Sequence, residues 1–184
     1  YINKSKYAFY VAKTYFAKFN KTDDIQYCVL AKKYATQATT FRVGWGEPFI
    51  LIGDLYAKTS TKCGSDPLSK KAGYWAAIEK YEYARLIDSK SSNSANQKIE
   101  IYKSQIPSQS LLFENNYLDK ETFSIDCWYQ EIVKVRNTPY LIINTSEKIL
   151  MDAIHSNAQD IILLNNLDID RAIWSIMHSL ERNK

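Results

Sequence analysis

Two stretches of the chain repeat one arrangement of small and large side chains. Phe49, Ile52, Gly53 and Tyr56 stand at i, i+3, i+4 and i+7, and Ala77, Tyr81 and Ala84 follow at i, i+4 and i+7. Earlier, Ala8, Val11, Ala12 and Tyr15 take the first spacing, and Ala31, Ala35 and Ala38 take the second. Steps of three and four place each set on one face of a helix, so each stretch predicts a helical hairpin. Gly53 and Ala12 then let a paired helix come close, while Tyr56 and Tyr15 fill the space between adjacent hairpins. Composition agrees: only nine of 184 residues are Gly or Pro and 25 are aromatic, which argues against a turn-rich sandwich or barrel and for helices packed through large side chains.

The elements follow from the same periodicity. Helices are predicted over Tyr7 to Phe16, Ile25 to Thr39 with Thr22, Asp23 or Asp24 as N-cap, about Glu47 to Thr59 with Pro48 in its first turn, about Ser69 to Ile87, and Ala95 to Lys103. A loop covers residues 60 to 68, and Ile106-Pro107 closes the helical region. From there the pattern changes to period two at Thr122 to Trp128 and at Ile132 to Val135, which predicts a small β hairpin. Residues 138 to 184 read as strand Tyr140 to Ile143, helix Glu147 to His155, strand Ile161 to Leu164 and helix Asp168 to Arg182, an order that implies parallel strands. Charge shifts at the same place: residues 1 to 136 hold 20 basic and 14 acidic residues, and residues 137 to 184 hold 4 and 6. The expected organisation is mainly α, with helical repeats over 1–106, a β appendage over 107–137 and a βαβα segment over 138–184.

Order and spacing match the tetratricopeptide pattern of W-x2-L-G-x2-Y, A-x3-F and a closing Pro, with Ser89 in the place of the Pro. The repeat-packing positions are Ala12, Tyr15, Phe49, Ile52, Gly53, Tyr56, Ala77, Tyr81 and Ala84. Ala12 and Gly53 lie 41 residues apart rather than the usual 34, so the hairpin loops carry insertions. Trp45-Gly46-Glu47-Pro48-Phe49-Ile50-Leu51-Ile52-Gly53-Asp54-Leu55-Tyr56-Ala57, Cys63-Gly64 and Tyr74-Trp75-Ala76-Ala77 resemble a family of tetratricopeptide-repeat (TPR) proteins of Bacteroidota. Cys127-Trp128 and Val135-Arg136 resemble its C-terminal end. The resemblance spans about residues 7 to 136 and implies a helical-hairpin solenoid, an exported envelope protein, periplasmic or outer-membrane-associated, and no enzymatic site. If the chain is exported, Cys63 and Cys127 are candidates for a disulfide; the alternative is three unpaired buried thiols, and Cys28 is read as core.

The last segment resembles something else. Tyr140 to Ser146, Ala158-Gln159-Asp160 and Ser175 to Lys184 are similar to the final two strand-helix units of response-regulator receiver domains, with Thr145 at the switch hydroxyl. Leu164 stands where a phosphate-contacting Lys is expected, Ile161 replaces an aromatic switch residue, and no phosphoacceptor Asp precedes them. The resemblance implies at most a degenerate, non-phosphorylated receiver-like domain.

Other chemistry is sparse. The chain has no phosphate-loop, dinucleotide, HExxH or GxSxG motif, no CxxC pair, and two His, His155 and His178, without ligand-spaced partners. Glu79 with Glu82, and Asp168 with Asp170, read as solvated carboxylates. No catalytic residue, metal or cofactor is expected, and scattered Lys and Arg make a nucleic-acid partner unexpected. No run reaches the length of a membrane span. The chain begins at Tyr1 without a charged-then-apolar leader, as a stretch from inside a longer precursor would. The expected function is a TPR scaffold or adaptor that takes a protein partner in a helical groove with Tyr10, Tyr27, Phe41 and Tyr83 as anchors. The alternative is a signalling protein with a receiver-like domain, for which a cytoplasmic location would be natural.

Overall fold

A computed structural model describes residues 2–117 and 121–136, together with the backbone of 140–143 and 160–163. The chain divides into two compact units, Tyr1–Asn137 and Thr138–Lys184.

The first unit is mainly helical: α1 (Ile2–Thr22), α2 (Ile25–Phe41), α3 (Glu47–Thr59), α4 (Pro67–Ile87), α5 (Ser92–Lys103) and α6 (Gln109–Glu114), followed by strands β1 (Thr122–Asp126) and β2 (Gln130–Lys134). The helix α1 runs past Phe16 and ends only at Asp23, whose left-handed backbone (φ 58°) turns the chain. Asp24 supplies the N-cap of α2 by accepting from the Gln26 N–H at 2.9 Å. Asp66 caps α4 in the same way through Ser69 N–H, so α4 begins at Pro67, inside the stretch predicted as loop. A further correction concerns α6. The helical region does not close at Pro107, because Ser108 caps one more short helix by accepting from Leu111 N–H.

From α1 to α5 each helix packs against the next, and α6 packs on α4. The α3–α4 pair is set by Gly53. A Cβ built there would lie 2.5 Å from Cε1 of Tyr81, so the absent side chain is where the ring sits. Tyr81 is fully buried, its hydroxyl donates to Asp54 at 2.8 Å, and Lys98 of α5 pairs with the same carboxylate at 2.7 Å. At the other end of the pair, Asp88 beyond α4 accepts from the Gly46 N–H that opens α3, and from Ser91 Oγ and Lys90 N–H. Burial opposes its ionisation, but these donors outweigh it and hold the Asp88 carboxyl below its ordinary value.

The strands β1 and β2 pair antiparallel, Thr122 opposite Lys134 through Asp126 opposite Gln130, so the expected hairpin forms with its turn at 127–129. It is no loose appendage. Ile125 and Val133 enter the same core as Trp75, Tyr81 and Leu55. In the second unit, β3 (Tyr140–Ile143) and β4 (Asp160–Leu163) pair in parallel, as the strand-helix order implied. The helices predicted at Glu147 to His155 and Asp168 to Arg182, along with both His, lie outside the described residues.

Replacing Gly53 with Ala should destabilise the protein by about 1–3 kcal/mol, because overpacking against a hydrogen-bonded ring exceeds the gain in helix propensity. Urea unfolding followed by circular dichroism checks this; an unchanged or raised midpoint would refute the packing argument.

Candidate functional site

Two polar seams are the chemically dense parts of the first unit. The main seam lies where α2, α3, α4 and β2 meet. Glu131 of β2 accepts from the Tyr56 hydroxyl at 2.6 Å and from Lys80 Nζ at 3.1 Å, with Lys32 Nζ at 3.7 Å. Tyr56 stacks on Tyr129 at 3.9 Å between centroids, and Lys32 stands over both rings. Burial works against the Glu131 carboxylate, but Tyr56 and the two ammonium groups prevail and hold it below its ordinary value. Burial also lowers the Lys32 pKa, helped by Lys80 and opposed by Glu131. Burial, then the bond to Glu131, pushes the Tyr56 phenol up, so it stays a neutral donor. The Tyr129 hydroxyl is buried without a hydrogen-bond partner among the described residues.

The second seam holds the hairpin on α4. Arg136 pairs with Glu82 at 2.8 Å and approaches Glu79 at 3.8 Å, Glu79 also accepts from Lys134 N–H, and the Trp75 indole donates to Arg136 O. Glu79 and Glu82 are therefore not simply solvated carboxylates. Their i, i+3 spacing put both on one helix face, but their cation came from 54 residues beyond Glu82. Cys63 and Cys127 are joined, with Cα atoms 5.3 Å apart, and Trp128 donates to Thr59 Oγ1 beside them. Cys28 is the free cysteine, buried so that its thiol is pushed up to about 12.

The repeat-packing residues sort by partner. Ala12, Gly53, Ala77, Tyr81, Ala84 and Ile52 are buried, and Phe49 packs edge-on with Tyr83. Tyr56 lies where the two hairpins meet, with Lys32 of α2 over its ring, whereas Tyr15 has its ring contacts elsewhere. Tyr15 stacks inside its own hairpin on Tyr27 and Tyr34, and Tyr56 faces the β hairpin. Of the groove candidates, Tyr10 is 58% and Tyr83 46% exposed, whereas Tyr27 and Phe41 are half-buried against the core. Tyr27 and Phe41 lie on α2 about 21 Å apart at 1.5 Å per residue. No ring contact links the four among the described residues; each has its own neighbours. The Glu131 seam escaped the sequence, since Lys32, Tyr56, Lys80 and Glu131 show no common spacing. The Cys63–Cys127 link was the one long-range clue to where the hairpin sits.

Among the described residues no group of three or more His, Cys, Asp or Glu could hold a metal ion, and no helix is long and apolar enough to cross a membrane. The class these features define is a helical-hairpin protein whose small β hairpin is bonded and cross-linked to its helices. No family model, no curated protein and no solved structure matches the chain.

Because the folded Glu131 pKa is depressed, its contribution is present above the ordinary value of 4.5 and lost as pH falls through the lower folded value. The stability difference between wild type and Glu131→Gln should therefore shrink on going from about pH 6 to about pH 3; a constant difference in urea midpoints would contradict it. Cys63 and Cys127 close a span of 64 residues. Cys63→Ser with Cys127→Ser should cost up to about 4 kcal/mol by loop entropy, read by urea unfolding without reductant, while an unchanged midpoint would refute it.

Proposed function

We propose that the protein is a non-enzymatic scaffold of the tetratricopeptide type, binding another protein along its helical hairpins in a bacterial envelope complex. The observation that carries this reading is the Gly53–Tyr81 contact. It puts the small residue of one helix against the aromatic residue of its pair at the two positions that the repeat pattern assigns them. The second support is the Cys63–Cys127 disulfide, which suits an oxidising compartment such as the periplasm. In this reading Tyr10 and Tyr83 offer exposed rings, and Tyr27 and Phe41 offer the edges of half-buried ones, as partner anchors.

The parallel pairing of β3 with β4 favours a second reading, a signalling protein with a degenerate receiver-like domain. The disulfide weighs against the cytoplasmic location that would suit it.

Affinity purification from the native cell, with wild type and with Tyr27→Ser combined with Tyr83→Ser, tests the groove. Loss of the copurifying protein from the variant is expected; an unchanged partner set would remove these residues from the interface.

A further inference from the structure

The charge of the first unit is not spread over it. Residues 1–42, which form the α1–α2 hairpin, hold eight Lys and Arg and two Asp, a net of +6. Residues 43–136 hold 12 basic and 12 acidic residues and are neutral. The two acids of the hairpin, Asp23 and Asp24, stand together at its turn, where Asp23 pairs with Lys62 and Asp24 caps α2. Along α1 itself there is no acid at all.

The lysines of α1 share a face with its exposed aromatic residues. Lys6, Tyr10, Lys13, Ala17 and Lys21 recur at helical spacing on the solvent side, with Tyr7, Thr14 and Lys18 beside them. Ala8, Phe9, Ala12 and Phe19 point the other way, into the core. Tyr7 is 69% exposed, and the Lys13 ammonium lies 4.8 Å from the centre of the Tyr10 ring. No ion pair reaches Lys6, Lys13, Lys18 or Lys21 among the described residues. From Lys6 to Lys21 the face is about 23 Å long at 1.5 Å per residue, with both exposed phenol rings between Lys6 and Lys13.

We propose that the outward face of α1 docks an acidic segment of a partner protein, with carboxylates against Lys6, Lys13, Lys18 and Lys21 and apolar side chains between Tyr7 and Tyr10. The charge selects an anionic partner and speeds its encounter, and the tyrosines give it area at low entropy cost. A protein fits better than a membrane surface. The face lacks the Leu, Phe and Trp side chains with which an interfacial helix inserts, because the phenylalanines of α1 are turned inward. One helix face is a small contact, so the association is weak and salt-sensitive. It shares Tyr10 with the groove of the proposed function, but its four lysines lie outside that groove, so it stands or falls whether or not Tyr27 and Tyr83 bind anything.

The test is fluorescence anisotropy of a labelled peptide of about ten alternating glutamates and leucines, long enough in extended form to span the face, against the whole 184-residue chain. Binding should tighten as salt is lowered, and Lys6, Lys13, Lys18 and Lys21 changed together to Glu should weaken it by about tenfold or more. The same four changed to Gln repeat the measurement with less repulsion. Tyr7→Ser with Tyr10→Ser should weaken binding about three- to tenfold. Reversing four exposed lysines elsewhere, Lys70, Lys90, Lys103 and Lys134, should leave it within about twofold if location rather than net charge matters. Equal loss from that control set, no binding of the acidic peptide, or binding to phosphatidylglycerol vesicles in its place would overturn the proposal.

Discussion

The close approach of α3 and α4 at Gly53 is the contact on which the other layers rest. With no side chain at that position, the Tyr81 ring lies against the α3 backbone and its hydroxyl reaches Asp54 on the same helix. Tyr81 then stacks on Tyr102 of α5, which stacks in turn on Tyr74. One glycine thus positions three helices. A bulkier residue would move the ring, the carboxylate it bonds and the lysine paired with that carboxylate together.

The β hairpin is held by several kinds of bond at once. A covalent link joins Cys63 to Cys127, Arg136 joins the hairpin to Glu82, and Glu131 lies between two lysines and a phenol. A two-stranded hairpin alone is at best marginal in water, so the helices are what make this one stable. The reverse also holds. Without Glu131, Lys32 and Lys80 would face each other half-buried with no counter-charge, and that repulsion would fall on the α2–α4 contact.

Much of the helical layer was legible because periodicity and capping are local. Asp24 and Pro48 act where their positions in the chain place them, and Gly53 lets its paired helix come close, whereas the Asp66 cap fell inside the predicted loop. What was misjudged depended on partners far along the chain. Tyr15 was assigned to the gap between hairpins, yet it stacks within its own, and Tyr56, which does meet Lys32 of the neighbouring hairpin, stacks on Tyr129 as well. Glu79 and Glu82 read as solvated until Arg136 arrived from the far side of β2.

By itself, then, the sequence determined the five longer helices, the Asp24 cap and the apolar face of each, since these depend on residues three or four positions apart, while α6 and the Asp66 and Ser108 caps went unread. It also carried the charge contrast between residues 1–42 and 43–136, a matter of counting. The tertiary structure decided which charged and aromatic groups share a seam. It brought Lys32, Tyr56, Lys80 and Glu131 together and turned the phenylalanines of α1 inward, so that its lysines, with Tyr7 and Tyr10, face water. The physical reason is that burial and pairing depend on distances in space, which helical spacing fixes within an element but leaves open between elements.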